Sequence, residues 1–234
     1  MEIIEKIRQE LEDHSDPETK MTGNRFFKEE VKFYGVKTSV VSEMSRKYFE
    51  QVRLLSKDTI FNTCEELLRS DYNEEAWIAF DMANRISKQF TPGDFERFET
   101  WIDKYVNNWA KCDTLCNHAV GTFMEMYPQY VQELKKWAHS KNRWFRRAAS
   151  VTLILPARKG KYLKDVLQIS DILISDNDDM VQKGYGWLLK EASKEHLNEV
   201  YAYLIKNKSI MPRTALRYAI EKMPPDFREN VMKK

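Results

Sequence analysis

Trp109 and Asp113 stand four residues apart in the stretch Asn108-Trp109-Ala110-Lys111-Cys112-Asp113-Thr114-Leu115. On a helix of about 3.6 residues per turn they share a face, roughly 40° out of line. A carboxylate beside an indole can steady a developing cation, because the acid supplies full negative charge and the ring face supplies the negative lobe of its quadrupole. The same spacing also fits a packed aromatic beside a solvated acid. What decides between them is how the surrounding elements hold the pair.

Those elements are helices. With 42% apolar and 32% charged residues the chain of 234 can bury a substantial core and is not a disordered polymer. Seven Gly and seven Pro are too few for the turns of a sandwich or barrel. Apolar residues recur at helical spacing in Ile3, Ile4, Ile7 and Leu11, and again in Val40, Val41, Met44, Tyr48 and Phe49. Asp58 is expected to cap a run to Leu68, and Asn73 a run from Glu74 to Phe90 with Trp77, Phe80 and Ile86 inward. Thr91-Pro92 opens the next, and its successor starts at Asn108 or Trp109 and runs to Pro128. Later helices are expected over 128–139, 142–155, 161–174, 178–193, 196–206 and 212–223, with Pro224-Pro225 as the end. About a dozen helices in antiparallel pairs, at a period of roughly 35 to 40 residues, predict an all-α fold. The specific form is an α-solenoid of HEAT-like pairs, one domain over 1–234, with a compact bundle as the alternative.

Charge and cysteine usage narrow the partners. A net charge of +2 is uninformative, but Lys135, Lys136, Lys141, Arg143, Arg146, Arg147, Arg158, Lys159, Lys161 and Lys164 follow one another with no intervening Asp or Glu. Such a block suits a phosphate-tracking surface, and equally an acidic protein or a solvated face. Three cysteines, Cys64, Cys112 and Cys116, imply no disulfide framework and fit a reducing, cytoplasmic location. Cys112 and Cys116 lack a second ligand pair, so no metal and no cofactor is expected. No apolar run is long enough for a membrane, and a capped solenoid is expected to be a monomer. Asp176-Asn177-Asp178-Asp179 reads as a helix cap rather than a calcium loop. Gly184 and Gly186, inside a helix at a cost of about 1 kcal/mol each relative to alanine, call for close packing or for room beside Trp187.

Three strings, Trp109-x-x-x-Asp113, Trp144-Phe145-Arg146-Arg147-Ala148-Ala149 and Val181-Gln182-Lys183-Gly184-Tyr185-Gly186-Trp187-Leu188-Leu189-Lys190-Glu191, occur in this order. Together they resemble the AlkD family of bacterial DNA alkylation repair glycosylases, over most of the chain from Arg25-Phe26-Phe27-Lys28 to Met211-Pro212-Arg213. The resemblance implies a HEAT-like solenoid with a concave, basic face that binds duplex DNA. It implies hydrolysis of the N-glycosidic bond of cationic purines such as 3-methyladenine and 7-methylguanine, with the lesion left in the duplex. Asp113 would be the catalytic carboxylate, and Trp109 and Trp187 the indoles against the sugar. Arg147 would contact the DNA backbone, with Arg146 one register away, and Arg143, Lys183 and Phe26 would complete the DNA-facing set.

The chain departs from the pattern at Asn108, where a second Trp is common, at Phe26, where a Tyr is expected, and at the acidic Glu29-Glu30. The first removes contact area and the second a hydroxyl. A non-catalytic HEAT-type module that binds nucleic acid is the competing reading, and geometry separates the two.

Overall fold

The computed structural model describes residues 2–233. Met1 and Lys234, the ends of the expected domain, lie outside the described residues. The fold is all-α: among the described residues there is no strand, only an isolated bridge between Lys32 and Tyr72. By chain contacts it divides into two compact units, residues 1–119 and 120–234.

The first unit contains α1 (Glu2–Asp13), α2 (Pro17–Asn24), α3 (Thr38–Val52), α4 (Lys57–Leu68), α5 (Asn73–Arg85), α6 (Asp94–Tyr105) and α7 (Trp109–Thr114). Alternate helices pack in layers, α1 on α3, α3 on α5 and α5 on α7, while α4 lies against α5. The apolar stripe of α1 explains its place, since Ile4, Ile7 and Leu11 are all buried. Phe61, Phe90, Phe98 and Trp101 form one aromatic cluster with centroid separations of 5.3–6.4 Å, within the range where edge-to-face pairs attract.

The second unit contains α8 (Gly121–Met126), α9 (Val131–Trp137), α10 (Arg143–Val151), α11 (Ile154–Arg158), α12 (Leu163–Leu173), α13 (Asp179–Ala192), α14 (Leu197–Asn207), α15 (Arg213–Ile220) and α16 (Pro225–Met232). Its centre is α13, which packs on α10, α11, α12 and α15. The two glycines of α13 are there for that packing. A Cβ at Gly184 would lie 2.8 Å from Ser150 Oγ, and one at Gly186 2.7 Å from the Ala215 carbonyl oxygen.

The repeat is visible in the side-chain pairing more than in the sequence. Arg97–Glu65, Lys57–Asp94, Arg143–Asp178, Arg146–Asp176, Arg158–Glu191 and Lys190–Glu221 each join residues 30 to 37 positions apart. Each ties one helix pair to the next.

Several boundaries differ from those expected, and for local reasons. Ser56, not Asp58, caps α4, its hydroxyl accepting from the Thr59 amide at 3.2 Å. Asn73 does not cap α5 but is its first residue, with Tyr72 at the cap position making no side-chain cap hydrogen bond; the Asn73 amide donates to the Lys32 carbonyl. That helix stops at Arg85, and Trp77 is half-buried rather than inward. The helix begun at Trp109 passes through a π-helical turn, Leu115–Val120, before α8. Pro224-Pro225 does not end the fold, because Pro225 occupies the first position of α16, where its missing N–H costs nothing.

Gly186→Ala is expected to lower unfolding stability by about 1–3 kcal/mol through overpacking against backbone, less the ~1 kcal/mol returned by helix propensity. Gly184→Ala should cost less, since the obstructing Ser150 hydroxyl can rotate. Urea denaturation checks both, and stabilisation by both variants would contradict the packing account.

Candidate active site

The Trp109–Asp113 pair sits on α7, which is fixed at its first turn by a set of polar contacts. Asn108 is fully buried, and its side-chain oxygen accepts from the Lys111 amide at 3.0 Å. The departure at this position therefore provides a helix cap. Lys111 itself points inward, its side chain 1% exposed, and donates to Asp71 Oδ1 at 2.5 Å, to the Asp71 carbonyl at 3.1 Å and to Asn107 Oδ1 at 3.1 Å. Asn107 completes the set by donating to Asp71 Oδ1 at 2.7 Å. Burial is the largest influence on Asp71 and would raise its pKa, but the Lys111 ammonium outweighs it and holds the carboxyl below its ordinary value. Burial also keeps Lys111 below the usual lysine value despite its partner.

On this base Trp109 is held from two sides. Its indole N–H donates to the Phe26 carbonyl at 3.3 Å, and one face stacks on Phe27 with centroids 5.1 Å apart and planes 13° from parallel. Phe27 in turn leans on Phe33 at 5.5 Å. Asp113 follows one turn later, half-buried, two residues before the π-helical turn begins at Leu115; such turns widen a helix locally and are frequent at functional positions. Phe26 is 70% exposed. With Phe33, Trp77, Lys37 and Glu74 it lines a cavity of about 640 Å³ in the first unit.

The remaining expected residues belong to the second unit and gather on α10 and α13. Arg147 is buried, donates to the Met180 carbonyl and lays its stem against Gly184. Its neighbour Arg146 is more open; it pairs with Asp176 at 2.6 Å and donates to the Ser140 and Lys141 carbonyls at 3.0 Å. Arg143 pairs with Asp178 at 2.8 Å and stacks over Trp144 at 4.9 Å, while Trp144 is a core residue. Lys183 meets Asp179 at 3.3 Å. The acidic run 176–179 thus does two jobs, since Asp178 also caps α13 by accepting from the Met180 amide at 2.9 Å. Trp187 is half-buried further along α13 and donates its N–H to Glu191 Oε1 at 3.3 Å.

The basic block is consequently not a row of bare charges. Lys135 pairs with Asp165, Arg158 with Glu191, and Lys159 and Lys161 with Glu125, besides the two arginine pairs above. Cys64, Cys112 and Cys116 are buried and form no disulfide, and burial pushes the Cys64 thiol up, out of the reactive range. Among the described residues no three His, Cys, Asp or Glu cluster as a metal site would require, and no helix is long and apolar enough to cross a membrane.

Of three important residues not singled out in the sequence, two carry no motif there. Phe27 and Lys111 have partners far away in the chain, and only contact geometry reveals them. Glu191 was legible, because Trp187-x-x-x-Glu191 repeats the spacing of Trp109-x-x-x-Asp113.

Asp71→Ala leaves the Lys111 ammonium inside without its anion. Removing one partner of a buried pair costs about 3–5 kcal/mol; with Asp71 40% exposed, a loss at or below about 3 kcal/mol is expected. Because the folded pKa of Asp71 is depressed, its contribution is complete above the unfolded value and disappears as pH falls through the folded one. The stability difference between wild type and Asp71→Asn should be flat above about pH 5 and close below about pH 4, as followed by urea denaturation across that range.

A solved structure described as a predicted DNA alkylation repair enzyme from Enterococcus faecalis superposes with a TM-score of 0.81 at 16% identity, covering 91% of this chain and 98% of its own. That likeness shows a shared fold. No curated protein sequence matches this chain. The sequence profile for DNA alkylation repair enzymes matches residues 7–223, nearly the whole length, and on that ground the chain belongs to the DNA alkylation repair enzyme family.

Proposed function

We propose that the protein is a DNA glycosylase that removes cationic N-alkylated purines, 3-methyladenine and 7-methylguanine among them, from duplex DNA, opening base excision repair. The observation that carries this reading is the preparation of Trp109 and Asp113. A half-buried carboxylate and an indole share a helix turn whose start is fixed by the Asn108 cap and the Lys111–Asp71 pair. A solvated acid beside a packed aromatic would need none of that support.

The chemistry asks little else of the protein. Alkylation at N3 or N7 leaves the purine positively charged, so the electron pair of the breaking C1′–N bond neutralises the leaving base and no general acid has to protonate it. The sugar acquires oxocarbenium character. Asp113 faces that charge, orients a water toward C1′ and receives the proton the water loses as the new C–O bond forms. The half-buried indoles of Trp109 and Trp187 would add attraction for the cationic sugar, about 0.5 to 2 kcal/mol each. Arg146, with Arg143 and Lys183, positions the backbone of the damaged duplex, while the buried Arg147, on the Met180 carbonyl, joins α10 to α13; Phe26 takes the DNA-facing place without the hydroxyl of a Tyr.

Asp113→Asn keeps the shape of the side chain and removes its charge. It should lower release of 7-methylguanine from methylated duplex DNA by about 10²- to 10³-fold, as for loss of a group aimed at a transition-state charge, while thermal stability and DNA affinity change little. If the wild type releases no alkylated base yet binds duplex DNA with a clear salt dependence, the non-catalytic binding module is the correct description. Arg146→Ala should weaken binding for all duplex sequences and reduce the slope of log K against log salt by about 1.

A further inference from the structure

Trp187 has a partner for which the reaction as proposed gives no role. Its N–H donates to Glu191 Oε1 at 3.3 Å, one turn further along α13. Glu191 is buried, and its second oxygen, Oε2, accepts from Arg158 Nε at 2.7 Å and meets Lys194 Nζ at 2.6 Å. The two oxygens divide their partners, with both cations on Oε2 and the indole on Oε1. Burial is the largest influence on this carboxyl and would raise its pKa, but the hydrogen bonds and charges of Lys194 and Arg158 outweigh it, so the group stays ionised at neutral pH.

An anion held against an indole N–H has two effects. It fixes the rotation of the ring about its side-chain bonds, so that the same face is presented each time. It also repels electron density from the ring edge into the π system, which makes both faces more negative and raises their attraction for a cation. Ion pairing with Arg158 and Lys194 would need only one carboxylate oxygen; the arrangement around Oε1 is what singles out the indole.

We propose that Glu191 is a positioning residue for the glycosylase reaction, one that orients and polarises the Trp187 indole toward the cationic sugar. The inference rests on the reading that Trp187 faces that sugar.

A double-mutant cycle with Trp187→Phe, which keeps an aromatic face but has no N–H, tests it. Glu191→Gln alone should lower kcat for 7-methylguanine release by about 3- to 10-fold, with KM for methylated duplex DNA unchanged within about twofold. In the Trp187→Phe background the same substitution should cause no further loss. The Trp187 indole ¹H–¹⁵N resonance, identified by its absence in Trp187→Phe, should move upfield in Glu191→Gln. If Glu191→Gln does not fold, that resonance is followed in the wild type as pH is lowered toward the Glu191 pKa, with the same upfield movement expected. An equal loss of kcat in both backgrounds, or an indole resonance that does not respond to loss of the Glu191 charge, overturns the inference while leaving the role of Trp187 intact. Full activity in Trp187→Phe instead removes Trp187 from the reaction, and Glu191 with it.

Discussion

A lysine ammonium does not enter a protein interior without an anion to meet it, and in the first unit that rule organises everything around α7. Lys111 is turned inward between two apolar neighbours of the same turn, and the only way to keep it charged there is to bring a carboxylate to it. Asp71 supplies the carboxylate from the α4–α5 turn, in a left-handed backbone conformation with φ 67°. Asn107 bridges the two, and Asn108, hydrogen-bonded to Asn107, caps the helix. The bridge between Lys32 and Tyr72, next to Asp71, fastens the irregular segment after α2 to the same turn. That segment carries Phe26 and Phe27, which hold the indole of Trp109 by edge and by face. One buried cation thus links the packing of four elements to the attitude of a single ring.

The second unit solves a similar problem with the signs reversed. There the buried charge is Glu191, the cations Arg158 and Lys194 come to it, and the ring it governs is Trp187. In both units the single N–H of a half-buried indole is satisfied inside the protein. An indole whose N–H pointed to solvent would rotate to follow water; one whose N–H is tied down keeps its face in place. Gly184 and Gly186 serve the same end by letting α13 approach α10 and α15 closely enough that its position is set by backbone and short side chains.

Much of this was written locally in the sequence and some of it was not. Helices with one apolar stripe, such as α1, and caps with a polar side chain before the first turn, at Asn108 and Asp178, are statements about neighbouring residues, and they were readable. Trp144 as core and the two glycines as packing residues belong in the same class. The failures share a physical cause. Glu74 and Glu75 look like an exposed first turn, yet both are buried: Glu74 accepts the amides of Gly35 and Val36, and Glu75 the Arg8 guanidinium and Tyr34 hydroxyl, 38 to 67 residues away. No local pattern records a partner one repeat or two distant. Trp77 was misplaced because a helical stripe fixes direction, and this direction leads to a cavity wall instead of the core. Asp113 and Trp109 were found as a pair by spacing, but Phe27, which fixes one of them, was hidden in a segment with no period at all.

The basic block teaches the same lesson about charge. Ten cations without an acid among them read as a bare positive surface, but the acids that answer them sit one helix pair along, at Glu125, Asp165, Asp176, Asp178 and Glu191. A phosphate arriving at Arg146 must displace or share with Asp176 at 2.6 Å, so part of the gain from the new contact offsets the loss of the old one. If this is the DNA-facing surface, as proposed, it should hold undamaged DNA less tightly than the cation count implies, because the sequence-independent term is the one that competition with internal carboxylates reduces. Under the proposed glycosylase reading, which requires sampling of ordinary duplex, weak general attraction combined with a rigid, preorganised pair of residues is a consistent division: the ion pairs would limit how long any site is held, and the fixed indole and carboxylate would decide where holding leads to chemistry.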